Sequence, residues 1–267
     1  TDAPTLAQLV TINAETTGAI TLNSAAAAYS GSAADLVLAF AGTVTTHTGT
    51  VEVTDALSVA NANTIDAATS GVITATITDD ATDLATLTGT GNAYTITLNN
   101  DDAATLAELV TINAATTGAI TLNALTIAAN YSGSVSDLTA AFTGITSHTG
   151  TLTVTGTAPT VAQANVLDAV TTGAITATIT DDATDLATLT GTGNAYTITL
   201  NNDDAATLAE LVTINAATTG AITLNTLTIA ANYSGSSANL ASAFAGTVTT
   251  HTGTVTITDA PTLAQLV

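Results

Sequence analysis

The chain has 267 residues, a formal charge of −21 at pH 7, and no Lys, Arg, Cys, Met or Trp. Nucleic acid binding needs cations that replace phosphate counterions, so we expect no nucleic acid partner. No run of 18 apolar residues is present, so we expect no membrane insertion. Divalent cations that prefer oxygen ligands, above all Ca²⁺, are the partners this charge favours, and we expect no other cofactor.

The chain is built from internal repeats. Residues 73–134 match residues 175–236 at 61 of 62 positions, at an offset of 102. His47, His148 and His251 recur in one shared context, 101 and 103 residues apart, and we interpret them as turn or helix-end residues. We predict one continuous solenoid over residues 1–267. Its predicted boundaries are long repeats at 48–148 and 149–251, with partial repeats at 1–47 and 252–267.

The first ten residues, TDAPTLAQLV, are also the last ten, at 258–267. The opening copy supplies the beginning of a helix without the strand that should precede it. The closing copy follows such a strand and stops before its helix is complete. We therefore expect copies of the chain to join head to tail in a heterologous contact that does not close.

Strands are predicted next along the chain, at TGTVEVTD, GVITATITDD, NAYTITLNNDD and GAITLN. In Ile73–Thr78, apolar residues alternate with Thr at period two, which is typical of a half-buried strand. The same four patterns return in the later repeat, and GAITLN at 18–23 and TGTVTITD at 252–259 add one each, which gives ten strands in all. No hairpin signal separates them, so we expect parallel strands with crossover connections.

Helices are predicted after most strands. The segment DDAATLAELVTINAATTG places Asp101 and Asp102 at a helix start and Gly118 beyond its end. DDATDLATLTGTG predicts a shorter helix, and APTVAQANVLDAVTTG places Pro159 early, where helices tolerate it. The predicted class is α/β, a solenoid with one parallel sheet and one helix per coil, in an architecture like that of leucine-rich repeats. The alternative is an all-β parallel solenoid.

Coils such as VTDALSVANANTIDAATSGVITATITDD, at 53–80, resemble the tandem repeats of very large secreted surface proteins of bacteria, including cyanobacteria and proteobacteria. Those proteins resemble adhesins or fibre-forming proteins. The resemblance implies an extracellular or cell-surface location, a structural role and calcium binding.

Acidic residues cluster where a strand passes into a helix. Two interpretations remain open: the carboxylates cap helices, or those of adjacent coils share Ca²⁺. The candidate metal ligands are Asp79, Asp80, Asp83, Asp101, Asp102, Asp181, Asp182, Asp185, Asp203 and Asp204.

Thr recurs on the strands, and stacking would set the hydroxyl groups in a flat array. This pattern is typical of a solvated strand face, and it also suits ice or glycan binding. Asn130 and Asn232 begin Asn-Tyr-Ser triplets that match the N-glycosylation pattern, so a glycan coat is a further possible partner.

We predict a structural protein of an extracellular filament, sheath or adhesin stalk, with a Ca²⁺-stabilised binding module as the alternative. We do not expect an enzyme, because a catalytic site would break the repeat, and no such break is found.

Overall fold

The computed structural model describes residues 2–41, 44, 47–99, 102–201, 204–245, 248 and 250–262. The helices are α1 (Leu6–Ala14), α2 (Ala33–Phe40), α3 (Val59–Asp66), α4 (Ala81–Leu84), α5 (Leu106–Ala115), α6 (Ala124–Ala128), α7 (Val135–Phe142), α8 (Val161–Asp168), α9 (Ala183–Leu186), α10 (Leu208–Ala217), α11 (Thr226–Ala230) and α12 (Ser237–Phe244). The strands are β1 (Tyr29–Gly31), β2 (Val51–Ala56), β3 (Ile73–Asp79), β4 (Ala93–Leu98), β5 (Ile120–Thr121), β6 (Tyr131–Gly133), β7 (Leu152–Val154), β8 (Ile175–Asp181), β9 (Ala195–Leu200), β10 (Ile222–Thr223), β11 (Tyr233–Gly235) and β12 (Val255–Ile257).

Strand and helix alternate throughout the described residues, and all the paired strands are parallel. The α/β prediction is therefore confirmed, and the all-β alternative is wrong. The chain divides into two compact units, one of residues 1–129 and 140–147, the other of residues 130–139 and 148–267. The first unit carries the sheet β1-β2-β3-β4-β5. The second carries the sheet β10-β9-β8-β7-β6 and the pair β11-β12.

The strand count differs from the prediction, since twelve strands lie in the described ranges instead of ten. The strands that were missed are the Tyr-Ser-Gly segments β1, β6 and β11. Three residues are too few to display period-two alternation, so the sequence gives no strand signal there. The predicted strand near Ile20 is reduced to a single parallel bridge with Val44.

The alternating strands face the core as their pattern predicts. Ile73, Ala75 and Ile77 are buried, whereas the threonines between them are exposed. The parallel register places Ile77 opposite Ile96 on β4, and both are fully buried. A side chain of this size gains about 1.5–3 kcal/mol on burial, so each inner row stabilises two adjacent coils at once.

Helix starts follow from short polar side chains. Each described N-cap residue is in the extended conformation and accepts the N–H of the third helical residue, as expected for these residue types. The N-caps are Thr5, Ser32, Ser58, Asp80, Thr105, Asn123, Thr160, Asp182, Thr207, Asn225 and Ser236.

A three-residue turn, Thr-x-Gly, closes five coils, and we call it the TxG turn. In every copy the glycine N–H donates to the threonine Oγ1 at 2.9–3.0 Å. In the last four, the hydroxyl group also donates to a carbonyl of the preceding coil, as Thr116 does to Tyr94 at 2.7 Å. The five turns are Thr16–Gly18, Thr69–Gly71, Thr116–Gly118, Thr171–Gly173 and Thr218–Gly220.

Glycine is required where a TxG turn lies against the backbone of the preceding coil. A Cβ atom at Gly71 would lie 1.7 Å from the Gly49 carbonyl oxygen, and one at Gly173 would lie 2.1 Å from that of Gly150. Neither carbonyl can move without disturbing its own coil. The TxG glycine therefore fixes how closely adjacent coils approach.

We expect Gly71→Ala and Gly173→Ala each to destabilise the chain by roughly 1–3 kcal/mol or more, because the added methyl group overlaps a backbone carbonyl. Gly18→Ala is the matched control, since a Cβ atom there meets only Thr16 Oγ1, at 3.4 Å. Urea unfolding at low protein concentration measures the differences. Equal losses in all three variants would contradict the close approach of the turns.

Candidate functional site

The first acidic cluster lies where β3 passes into α4. Asp80 is the N-cap of α4, and its Oδ1 accepts the Asp83 N–H at 2.8 Å. Asp79 Oδ1 accepts the Asp80 N–H at 3.1 Å. The capping interpretation is therefore observed at Asp80, and the backbone of this corner orients the carboxylates.

The second unit repeats this corner between β8 and α9. Asp182 caps α9 through the Asp185 N–H at 2.8 Å, and Asp181 accepts the Asp182 N–H at 3.0 Å. In each corner the three aspartates offer one carboxylate oxygen apiece, all within 4.8 Å of one another. The chain has no Lys or Arg to neutralise them. Three carboxylates at this spacing suit the oxygen coordination that Ca²⁺ prefers.

The other predicted acidic ligands lie differently. Asp101 and Asp203 fall outside the described residues. Asp102 and Asp204 are exposed, and their carbonyl oxygens accept the side-chain amides of Asn123 and Asn225 at 2.7 and 2.8 Å. The expectation that Asp101 and Asp102 begin the helix is wrong, because α5 starts at Leu106.

Helix α5 starts later than predicted because a stronger capping signal lies at Thr105, three residues after Asp102. The Thr105 side chain accepts the Glu108 N–H, and the Glu108 carboxylate accepts the Thr105 N–H at 2.8 Å, forming a capping box. Partial burial acts to raise the pKa of Glu108, but the hydrogen bonds from Thr105 and Thr82 outweigh it and lower that pKa. The Thr-x-x-Glu spacing was the signal that could have identified this start.

A cleft in the second unit gathers acids from two successive coils. Asp182, Asp204 and Glu210 line it together with Thr184 and Thr207. Thr184 Oγ1 donates to Glu210 Oε1 at 3.1 Å. Hydrogen bonds from the Thr207 N–H and hydroxyl group lower the pKa of Glu210, while the Asp182 charge acts in the opposite direction. Glu210, which the sequence analysis left out, is thus a further carboxylate beside the predicted ones.

The Thr-rich face is an ordered array in the first unit. The parallel register aligns Thr76 with Thr95, and it aligns Thr78 with Thr97 and Thr121 in a row across three strands. Neighbouring strands are about 4.8 Å apart, which sets the spacing of the hydroxyl groups along each row.

The predicted glycosylation residues are exposed. Asn130 Oδ1 accepts the Thr151 N–H at 2.9 Å, and Asn232 Oδ1 accepts the Thr254 N–H at 2.8 Å. Both side chains therefore join a Tyr-Ser-Gly strand to the coil that follows. Glycosylation at these residues stays a prediction.

The histidines have a role that the sequence analysis missed. His47 is 2% exposed, with ring centroids 5.3 Å from Tyr29 and 5.0 Å from Phe40. Its Nε2 donates to the Ala27 carbonyl at 2.7 Å, and its Nδ1 lies 2.7 Å from Thr69 Oγ1. It therefore joins the aromatic core to the next TxG turn, and only the fold brings these groups together.

Comparisons with protein-family models, with curated proteins and with solved structures gave no match. Of the helices in the described ranges, none reaches the length and apolar character that a bilayer crossing requires.

We expect Ca²⁺ to raise the melting temperature and a chelator to lower it, because an ion bound only by the folded chain stabilises it by mass action. Asp83→Asn combined with Asp185→Asn keeps the capping residues Asp80 and Asp182 but removes one of the three carboxylate charges from each corner, so the response should be strongly reduced. Mg²⁺ should substitute poorly, since it demands a tighter octahedral shell.

Calorimetry with and without millimolar Ca²⁺ measures the response. Asp35→Asn removes the same charge from the first turn of α2 and should leave the response intact. An unchanged melting temperature in both chelator and Ca²⁺ would leave the aspartates as helix caps only.

Proposed function

We propose that the chain is a structural segment of an extracellular or cell-surface filament, sheath or adhesin stalk. In this proposal its α/β coils form one solenoid over residues 1–267, and copies join head to tail. The proposal includes no catalytic activity. The resemblance to tandem repeats of large secreted bacterial surface proteins supports it.

The observation that carries the proposal is the recurrence of the same contacts between successive coils in both units. Asn63 donates to the Thr86 carbonyl at 2.9 Å, and Asn165 donates to that of Thr188 at 3.0 Å. The TxG turns and the buried strand rows recur in the same way. A chain held by identical nearest-neighbour contacts lengthens by repetition, which suits a mechanical element.

The charge supports the same role. With 21 acidic side chains and no Lys or Arg, the chain presents a surface of one sign. Copies repel one another side by side, so lateral aggregation of a fibre is limited. Divalent cations are recruited by the same charge, in agreement with the acidic corners.

The buried titratable groups also suit a structural chain. Tyr94 is 1% exposed, and burial, with the nearby Asp66 carboxylate, raises its pKa well above the ordinary value. The phenol therefore stays neutral within the core. His47 is likewise enclosed by aromatic rings, so neither group is presented to a substrate.

The experiment that tests the proposal is electron microscopy with wide-angle scattering from oriented samples. We expect elongated particles with a strong spacing of about 4.8 Å along the long axis, because each coil adds one strand. A globular protein of similar mass, measured at the same concentration, is the control that separates the effect of particle shape from that of concentration. Compact particles without the axial spacing would exclude a solenoid filament.

A binding module that uses the Thr-rich face is the second candidate, because three of its threonines align in one row across β3, β4 and β5. The test is a chain that carries both Thr78→Val and Thr97→Val. We expect this variant to lose any inhibition of ice recrystallisation that the unaltered chain has, while its free energy of unfolding stays nearly unchanged. Thr64→Val, on the outer side of α3, is the control. Absence of inhibition in the unaltered chain, with no binding on a glycan array, would reject this candidate.

A further inference from the structure

A polar cleft of the second unit lies at the opposite end of β8 from the acidic corner. Its volume is about 530 Å³, and two successive coils line it. The walls are Asp168 at the end of α8, the TxG turn of residues 171–173 with Ala174, and the loop of residues 190–194. Four threonines and three glycines are among these residues, and no large apolar side chain is. The Thr-rich strand face and the acidic corners do not include this cleft.

Asp168 is the one ionisable residue of the cleft walls, and its orientation is fixed. Its Oδ1 accepts the Asn194 Nδ2–H at 2.9 Å, and Asn194 Oδ1 accepts the Ile175 N–H at 2.8 Å. Among the described contacts, Asp168 Oδ2 has one, from the Thr190 hydroxyl group at 3.4 Å. A carboxylate oxygen accepts about two hydrogen bonds, so Oδ2 has capacity for a ligand. A carboxylate is also unfavourable at the C-terminal end of a helix, so the α8 dipole does not account for this residue.

Hydrogen-bond donors lie beside this acceptor. Thr192 and Gly193 line the cleft and are exposed, and in the part of the chain that the structure describes their N–H groups donate to no protein acceptor. The hydroxyl groups of Thr172 and Thr192 likewise contact no protein partner there. Gly193 has a φ of 79°, which glycine adopts without strain. The cleft thus offers both donors and acceptors to a ligand.

This mixture decides which class of ligand fits. An anion would meet the Asp168 carboxylate in a chain of formal charge −21 that has no Lys or Arg. A Ca²⁺ ion takes about six to eight oxygen ligands, but the walls supply one carboxylate and place N–H donors beside it. A neutral hydroxyl group donates and accepts at once. Two neighbouring hydroxyl groups therefore match the carboxylate and the N–H groups together.

We propose that this cleft binds one sugar unit of a neutral carbohydrate. One hydroxyl group of the sugar donates to Asp168 Oδ2, and a neighbouring one accepts the N–H of Gly193. The volume lies in the usual range for small-molecule sites, and the polar walls suit a hydroxylated ligand. Glycine is needed at 191, because a Cβ atom there would lie 2.1 Å from Asp168 Oδ1. The proposal is independent of filament formation.

The first unit carries the same arrangement with one altered wall. Asn92 Nδ2 donates to Asp66 Oδ1 at 2.9 Å, as in the second unit. Val72, which is 44% exposed, stands where the second unit has Ala174. Both carbonyl groups accept the N–H that begins the preceding strand, at 3.0 and 3.2 Å. Valine therefore fits this place in the fold, and it would narrow the cleft of the second unit by two methyl groups.

The test is saturation-transfer NMR on the full-length chain with neutral monosaccharides added one at a time. The panel consists of glucose, galactose, mannose, fucose, xylose and N-acetylglucosamine. We expect saturable transfer to at least one of them, with a dissociation constant in the millimolar range, because one sugar unit makes few contacts.

Variants locate the bound sugar. Asp168→Asn keeps the oxygen that accepts Asn194 but replaces Oδ2 by a donor, so binding should weaken by about tenfold or more. Ala174→Val introduces the residue of the first unit and should also weaken binding. Asp137→Asn, which removes the same charge from the exposed first turn of α7, is the control and should leave binding unchanged. Circular dichroism should find all three variants as folded as the parent chain.

Two results would overturn the proposal. One is the absence of saturation transfer to every sugar of the panel, or equal transfer in the parent chain, Asp168→Asn and Ala174→Val. The other is calorimetry in which Ca²⁺ or inorganic phosphate binds in an Asp168-dependent manner while no sugar binds. Neither result bears on the filament, which electron microscopy tests separately.

Discussion

The close approach of a TxG turn to the backbone of the preceding coil is the constraint on which the rest of the structure depends. Consecutive parallel strands can pair only if the chain returns to the same point at strand spacing after each helix. At Gly71 and Gly173 the return leaves no room for a Cβ atom, because the preceding carbonyl already occupies that space. The threonine hydroxyl of the same turn hydrogen-bonds to the preceding coil, so the turn sets both the distance and the direction of stacking. The helices and strands then fill the space between turns.

Hydrogen bonds, many of them from asparagine side chains, connect the coils in place of ion pairs to Lys or Arg, which the chain does not have. Asparagine side chains bridge successive coils at Asn63, Asn113 and Asn165, each donating to a backbone carbonyl of the coil that follows. Such contacts inside the chain involve no net charge, so salt acts on them weakly.

The parts of the fold that local signals specify were predictable. The alternation from Ile73 to Thr78 indicates β3 because it extends over enough residues to define a face. Three-residue strands such as β1 carry no such pattern and form because the adjacent strand β2 offers a ladder. The start of α5 was misplaced because Asp101 and Asp102 resemble caps, while Thr105 and Glu108 satisfy more backbone groups at once. The acidic corners were identified from the sequence. Glu210 was not, because only packing brings it beside Asp182 and Asp204 in the cleft of the second unit.

The sequence by itself determined the repeat, the α/β class, the parallel strands and the caps at Asp80 and Asp182, because each depends on residues that are close in the chain or on simple periodicity. The tertiary structure alone decided the environment of the histidines and the exposure of the coil faces. His47 is buried because Tyr29, Phe40 and Thr69, which lie up to 22 residues away, converge on its ring. Ile12 and Ile112 stand in nearly identical local sequences, yet within the described residues a preceding coil packs only on Ile112, so burial differs where the sequence does not.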